Sequence, residues 1–198
     1  MGPILRVNTI YPTIQSEGVL AGTPMVIVRT QGCSVGCSWC DTKETWNPNR
    51  GTAYLPGELV AAVATHATGH RWVLLTGGEP VQQDVTPFIA ALRSRWKVAL
   101  ETSGVGRFVP TNCDWFCLSP KHKAWAPECD ALADEVKWVI VGDECVARAE
   151  EAMPRFARGQ AALQPVWGSA AALNLCVAAT QRLGWRLSLQ QHKYIGFA

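Results

Sequence analysis

A chain of 198 residues, 48% of them apolar, can bury a core of its own, and its length suits one domain spanning 1–198. Eighteen basic against 16 acidic residues leave a formal charge of +2, which supplies neither the field of a general nucleic-acid binder nor the polarity of a disordered chain. No apolar run approaches the ~18 residues that would span a bilayer, and the opening MGPILRVNTIYPTIQSEG lacks an apolar core with a cleavage-like end, so no membrane partner is expected and the cytoplasm is the simplest address.

In chain order, the first strong apolar run is PMVIVRT (24–30), followed directly by a loop with Cys33, Cys37 and Cys40. A segment of helical spacing, PGELVAAVATHA (56–67), precedes the run RWVLLTGG (71–78), and VTPFIAALRSR (85–95) precedes KVALETSG (97–104). WFCLSPK (115–121), VKWVIVG (136–142) and AALQPVW (161–167) come next. A last long helix is predicted over SAAALNLCVAATQRLG (169–184), with Ser169 as its N-cap and Gly184 as its stop, before a final run WRLSLQQ (185–191). Near-continuous hydrophobicity, rather than alternation, marks parallel strands covered on both faces. Six or seven such strands in this length fall short of an eight-unit barrel of about 250 residues. The expectation is therefore an α/β fold, either an open doubly wound sheet or an incomplete TIM-like β/α barrel with about six parallel strands.

Ligands of such folds sit beyond the carboxyl ends of the strands. Those ends here carry the cysteine loop, TGGEP, ETSG, SPK and QPVW, all facing one mouth. Eight cysteines without a secretory leader favour reduced thiols for metal or redox chemistry. A closed structural zinc site wants four ligands, whereas the C-x3-C-x2-C loop supplies three. Three thiolates on an iron–sulfur cube leave one iron open to a small molecule. A zinc loop completed by a distant Cys or His, or three buried thiols, stays open on spacing alone. The wide spacing of Cys113, Cys117, Cys129, Cys145 and Cys176 reads as structural. Two residues without Cβ in TGGEP let a ligand approach the backbone closely, and the carboxylate after them can accept from an ammonium. Of the nine tryptophans, Trp46 and Trp167 are the two beside these loops.

The cysteine loop and TGGEP, one β/α unit apart, resemble the radical S-adenosylmethionine superfamily. A narrower resemblance runs from TIQSEG (13–18) through RTQGCSVGCSWCDTKETW, TGGEP, ETSG and SPK to LQQHKYIGFA (189–198), and it is to the 7-carboxy-7-deazaguanine synthase family. The resemblance implies a shortened barrel and usually a homodimer. The implied reaction is ring contraction of 6-carboxy-5,6,7,8-tetrahydropterin to 7-carboxy-7-deazaguanine with loss of ammonia, on the way to queuosine and related deazapurines. It implies a [4Fe–4S] cluster on Cys33, Cys37 and Cys40, S-adenosylmethionine cleaved to a 5′-deoxyadenosyl radical, an electron donor such as flavodoxin or ferredoxin, and Mg²⁺ on Thr42. Cofactor contacts carry over to Trp39, Cys40, Asp41, Gly78, Glu79, Ser119, Pro120, Lys121 and Gln164. Substrate contacts carry over to Ile14, Gln15, Ser16, Glu17, Arg29, Thr76, His192 and the terminal carboxylate of Ala198. Ser16 departs from the family's usual Gly and Ala198 from its usual Pro. Read without the resemblance, Asp41-Thr42 is a turn or capping pair, Arg29 and Lys121 are solvated strand ends, and His192 fits a core as well as a site. A radical S-adenosylmethionine activating enzyme working on a partner protein would share the cysteine loop and TGGEP, but not the need for Arg29 or the LQQHKYIGFA ending.

Overall fold

In the computed structural model, which describes residues 2–157 and 159–197, one sheet holds nine strands. They are β1 (Leu5–Ile14), β2 (Pro24–Thr30), β3 (Thr52–Tyr54), β4 (Trp72–Gly77), β5 (Lys97–Thr102), β6 (Trp115–Leu118), β7 (Glu135–Ile140), β8 (Gln160–Pro165) and β9 (Arg186–Leu187). Their order is β3-β1-β2-β4-β5-β6-β7-β8-β9. β1 runs antiparallel to both β2 and β3, and every pairing from β2 to β9 is parallel. The edges β3 and β9 do not meet, so the sheet is unclosed. Six substantial parallel strands, β2 and β4 to β8, are what the apolar runs predict.

Alternation along the parallel strands sends side chains to two different environments. On one face Val26, Val28, Val73, Leu75, Val98 and Leu100 join the large core. That core is completed by α1 (Pro56–Ala64), α2 (Thr86–Leu92), α3 (Cys129–Leu132), α4 (Asp143–Ala152) and α5 (Ala170–Leu183), through residues such as Leu59, Phe88, Ile89, Cys129, Ala149 and Cys176. On the other face Met25, Ile27, Leu74 and Ala99 make a small apolar floor with Tyr11, Leu20, Trp72 and Trp115. The floor gives way to polar side chains towards the carboxyl ends of the strands. The loop after β1 reaches across this face: Val19 N–H donates to Glu135 of β7 at 3.1 Å, and Gly18 N–H to the Ser188 hydroxyl beyond β9 at 2.8 Å. Such contacts bring opposite ends of the sheet together and require it to curl.

The last predicted strand, 185–191, is a strand only at Arg186–Leu187, because Gln191–Ile195 forms the short helix α6. Two strands stand outside the predicted set. β1 is antiparallel and mixes buried with exposed positions, and β3 is three residues long. Helix α4, DECVARAEEA, was also unread, since its charges mask the buried positions Val146, Ala149 and Ala152. Among the described residues no helix is long and apolar enough to cross a membrane.

Helix α5 has the predicted ends. Ser169 accepts from the backbone N–H of Ala172 at 3.1 Å, and Gly184 takes the left-handed conformation at φ 70°, donating to the Thr180 carbonyl at 3.0 Å. Ser169→Ala removes the acceptor and should lower stability by about 1 kcal/mol, seen as a lower urea midpoint with an unchanged slope; Ser169→Asp should keep the midpoint.

Candidate active site

The polar face of the curled sheet encloses a cavity of about 450 Å³ at the carboxyl ends of the strands. The loop after β2 forms one side. Gly32 N–H donates to the Thr45 carbonyl at 2.7 Å and Cys33 N–H to the Trp46 carbonyl at 3.2 Å, folding the loop onto the 3₁₀ turn Lys43–Thr45. Cys33, Cys37 and Cys40 all face the cavity, and all eight cysteines are free thiols. Burial pushes the Cys33 thiol up against backbone N–H groups of Val35 and Gly36 that stabilise its anion. Burial likewise raises Cys37, opposed by the nearby Lys121 ammonium. Among the described residues no three His, Cys, Asp or Glu side chains stand close enough to hold a single metal ion. A cube, in which each thiolate binds its own iron, does not ask for that, so the donor set fits an iron–sulfur cluster better than a zinc ion.

Thr42 occupies the N-cap position of that turn, yet its hydroxyl makes no capping hydrogen bond and lies 3.6 Å from Cys40 Sγ. Asp41 does not cap either: its carboxylate accepts from Lys193 Nζ at 2.5 Å and from Gln190 Nε2 at 3.3 Å. Burial raises the Asp41 carboxyl, but these bonds, chiefly that from Lys193, leave it below its ordinary value. Lys121 is not a solvated strand end. Its ammonium donates to the Ser119 hydroxyl at 2.5 Å, lies 5.3 Å over the Trp39 ring, and is pushed down by burial and by the neighbouring Lys137.

The chain's own packing requires Gly77 and Gly78 to lack side chains. A Cβ on Gly77, at φ 119°, would stand 2.5 Å from Thr30 N, and one on Gly78 would stand 2.3 Å from the Gly32 carbonyl oxygen. The pair lets the end of β4 lie directly on the cysteine loop, sealed by Gly78 N–H to Thr30 O at 2.9 Å and Glu79 N–H to Gly32 O at 2.8 Å. Glu79 is buried, and its carboxylate accepts from Ser103 N–H at 2.8 Å, from Val81 N–H at 3.3 Å and from the hydroxyls of Thr102 and Ser103. Burial nevertheless pushes the Glu79 carboxyl up. TGGEP and ETSG are thus one unit.

The opposite side of the site is assembled across the gap of the sheet. Glu17, in the loop after β1, meets Lys137 Nζ at 2.5 Å, Gln164 Nε2 at 3.1 Å and Gln190 Nε2 at 2.9 Å. Burial raises the Glu17 carboxyl, but the Lys137 ammonium and the two amides pull it down to about 2. Lys137 is 1% exposed and also pairs with Glu101 at 2.5 Å. Burial disfavours its charge, yet Glu101 and Glu17 together raise it well above an ordinary lysine. The Ser16 hydroxyl lies 2.5 Å from His192 Nδ1, and burial pushes that imidazole down. Arg29 donates to the Tyr11 hydroxyl at 2.9 Å and faces the cavity with Ile14, Gln15, Thr76 and Trp46.

Of the residues singled out in the sequence, Pro120 is buried but is not on the cavity wall, Trp167 borders a separate small pocket, and Ala198 lies outside the described residues. The others line the cavity. Lys137, Glu101, Thr102, Ser103, Gln190 and Lys193 also line it and were not singled out. The signal for Lys137 was present: a lysine inside VKWVIV, an otherwise continuous apolar run, has to find anions. Among the remaining thiols, Cys117, Cys129 and Cys176 are buried, with Cys129 and Cys176 pushed by burial up to about 12, and Cys113 likewise up to about 11, as befits inert core residues.

Residues 16–142 match the family model described as a 4Fe-4S single cluster domain. The chain is 31% identical to 7-carboxy-7-deazaguanine synthase of Escherichia coli (strain K12), the alignment covering 97% of this chain and 98% of that one. It is 36% identical to the protein of the same name from a Synechocystis species, over 99% and 98% of the two chains. The crystal structure of QueE from Escherichia coli superimposes with a TM-score of 0.83 at 27% identity, covering 94% of this chain and 93% of that one. On likeness over nearly its whole length, in sequence and in fold, the chain belongs to the 7-carboxy-7-deazaguanine synthase family of radical S-adenosylmethionine lyases.

Proposed function

We propose that residues 1–198 act as one radical S-adenosylmethionine domain that converts 6-carboxy-5,6,7,8-tetrahydropterin into 7-carboxy-7-deazaguanine with loss of ammonia. The observation carrying this reading is that the three-thiol loop shares its cavity with Arg29, Thr76, His192 and the Glu17–Lys137–Glu101 group. An enzyme that activates a partner protein has no need of that polar wall. When bound, the cluster and S-adenosylmethionine supply the 5′-deoxyadenosyl radical.

The chain's own residues bind and orient. Cys33, Cys37 and Cys40 hold the cluster, and Trp39, Asp41, Ser119, Lys121 and Gln164 border the cofactor. Glu79 is occupied by its own chain, so its part is to fix the turn that Gly78 presents. Pro120 acts by holding Ser119 and Lys121 on either side of it in place. Arg29 suits the substrate carboxylate, because a guanidinium pairs bidentately with such a group. Ser16 orients His192, and Ile14, Gln15 and Thr76 complete the substrate side. Thr42 offers a hard oxygen to Mg²⁺, whose shell must then draw on water and the substrate carboxylate, so the ion binds weakly without substrate. A one-electron donor such as flavodoxin or ferredoxin, a homodimer and a cytoplasmic setting complete the proposal.

Replacing Cys33, Cys37 or Cys40 with Ala should abolish both iron loading and turnover after anaerobic reconstitution, whereas Cys113→Ala and Cys145→Ala should retain their iron. A complete cluster and normal activity in any of the first three variants would refute the assignment. Thr42→Ala should keep its cluster but lose the stimulation of turnover by Mg²⁺, falling in rate by about tenfold or more; a Mg²⁺ titration of the parent and the variant checks this directly.

A further inference from the structure

Lys137 ties three parts of the site together: the loop after β1, strand β5 and the SPK turn. In the sheet order four strands, β2, β4, β5 and β6, separate β1 from β7. The Lys137 ammonium nevertheless lies 2.5 Å from Glu17 Oε2, in the loop after β1, and 2.5 Å from Glu101 Oε1, on β5. Its own backbone carbonyl accepts from the Ser119 hydroxyl at 3.0 Å, which fixes β7 against the SPK turn. Backbone bonds already hold the loop after β1: Gln191 N–H to Ser16 O at 3.1 Å and Gly18 N–H to the Ser188 hydroxyl at 2.8 Å. What Lys137 adds is control of the Glu17 and Glu101 carboxylates, both of which line the cavity.

We propose that Lys137 is a positioning residue for the substrate, holding Glu17 and Glu101 as a pair of anions that receives the N–H-rich edge of the reduced pterin ring; this rests on the function proposed above. A carboxylate offers about four acceptor positions. Lys137 and Gln164 take two on Glu17 Oε2 and Gln190 takes one on Oε1, while on Glu101 Lys137 takes a position on Oε1. Two carboxylates against one ammonium leave a net negative charge, and both carboxylates line the cavity with acceptor positions to spare. An edge with an amino group and ring N–H donors fits two carboxylates on the cavity wall, and an anionic edge does not. Arg29, elsewhere on the wall, takes the opposite part towards the substrate carboxylate.

The groups facing Lys137 are Glu17, Glu101, Glu135 on the same face of β7, Cys117 on β6 and Lys121. Without the ammonium, the half-buried Glu17 carboxyl loses the charge that holds it down and is left facing burial and the nearby Glu101, so Glu17 takes up a proton as pH falls through neutrality. A protonated carboxyl loses acceptors that the substrate needs. In the parent the Lys137 ammonium pulls the Glu17 carboxyl down to about 2, so its acceptors do not change over this range.

The test uses reconstituted holoenzyme, with 6-carboxytetrahydropterin turnover and pterin-free S-adenosylmethionine cleavage measured in parallel. Lys137→Met should keep its iron and its slow uncoupled cleavage. Its KM for the pterin should rise by about tenfold or more at neutral pH, with a smaller change in kcat, and should fall back as pH is raised from about 6 to about 9. Lys137→Arg, which retains a cation, should keep a pH-independent KM. If Lys137→Met fails to fold, Lys137→Gln, whose amide keeps N–H donors without the charge, carries the same comparison. An unaltered KM, a raised KM that does not vary with pH, or a loss confined to kcat would overturn the role. A parent enzyme that cleaves S-adenosylmethionine but leaves the pterin untouched would instead overturn the function on which it rests.

Discussion

A charged side chain withdrawn from water costs several kcal/mol unless opposite charges follow it, and the buried ammonium of Lys137 sets that condition at the centre of this molecule. Its two anions come from distant places, Glu101 on a central strand and Glu17 on a loop from near the sheet's edge. The loop after β1, held across the open face by bonds involving Val19, Gly18 and Ser16, brings Glu17 to the ammonium together with Gln164 and Gln190. The gap of the unclosed sheet is thus bridged by ion pairs as well as by hydrogen bonds. Breaking one member leaves the others buried and unpaired, so the group acts as a unit.

The cysteine side is built on a different principle. Two glycines remove the bulk that would hold β4 away from the loop after β2, and backbone hydrogen bonds fill the space thus gained. Glu79 then ties the same turn to Thr102 and Ser103 at the end of β5. Close packing and saturated hydrogen bonding make this half rigid without any ligand. A site for a cluster needs that, because three thiolates must be presented in a fixed spacing.

Much of this was legible in the sequence. β2 occupies the whole of its predicted run, because both its faces are buried and an uninterrupted apolar stretch has no other reading. Ser169 and Gly184 mark the ends of α5 because each performs a local chemical task that a motif can reveal. The cysteine loop, TGGEP and SPK were found for the same reason. What escaped depends on long-range geometry. Lys137 interrupts an apolar strand without belonging to any motif, and its partners are unknown until the sheet has curled. Glu101 stood in a quoted motif, but its direction into the cavity depends on the register of β5 against β4 and β6. The glycine pair was read as a place of close approach to the backbone, and the curled sheet adds what the sequence alone did not show, that the chain's own cysteine loop makes such an approach. β1 escaped because an antiparallel strand with polar, half-exposed positions carries no continuous apolar signal.

The two halves of the site also differ in how far the chain must travel to make them. Contacts that frame the cysteine loop and Glu79 join residues 48 or 24 positions apart, as in Ser34 with Gln82 and Glu79 with Ser103. Those that place Glu17 span 120, 147 and 173 positions. Loop-closure entropy grows with separation, and distant pairings wait for nearer ones. On a ribosome, the packing of the cysteine loop on the end of β4 and the ties from Glu79 to Ser103 can form when barely half the chain exists, whereas the partners of Trp39 and Asp41, Lys121, Gln190 and Lys193, come later. The frame of the cysteine loop can thus take shape while the wall that holds Glu17 is still being translated, so the two sides of the cavity are completed at different times as well as in different places.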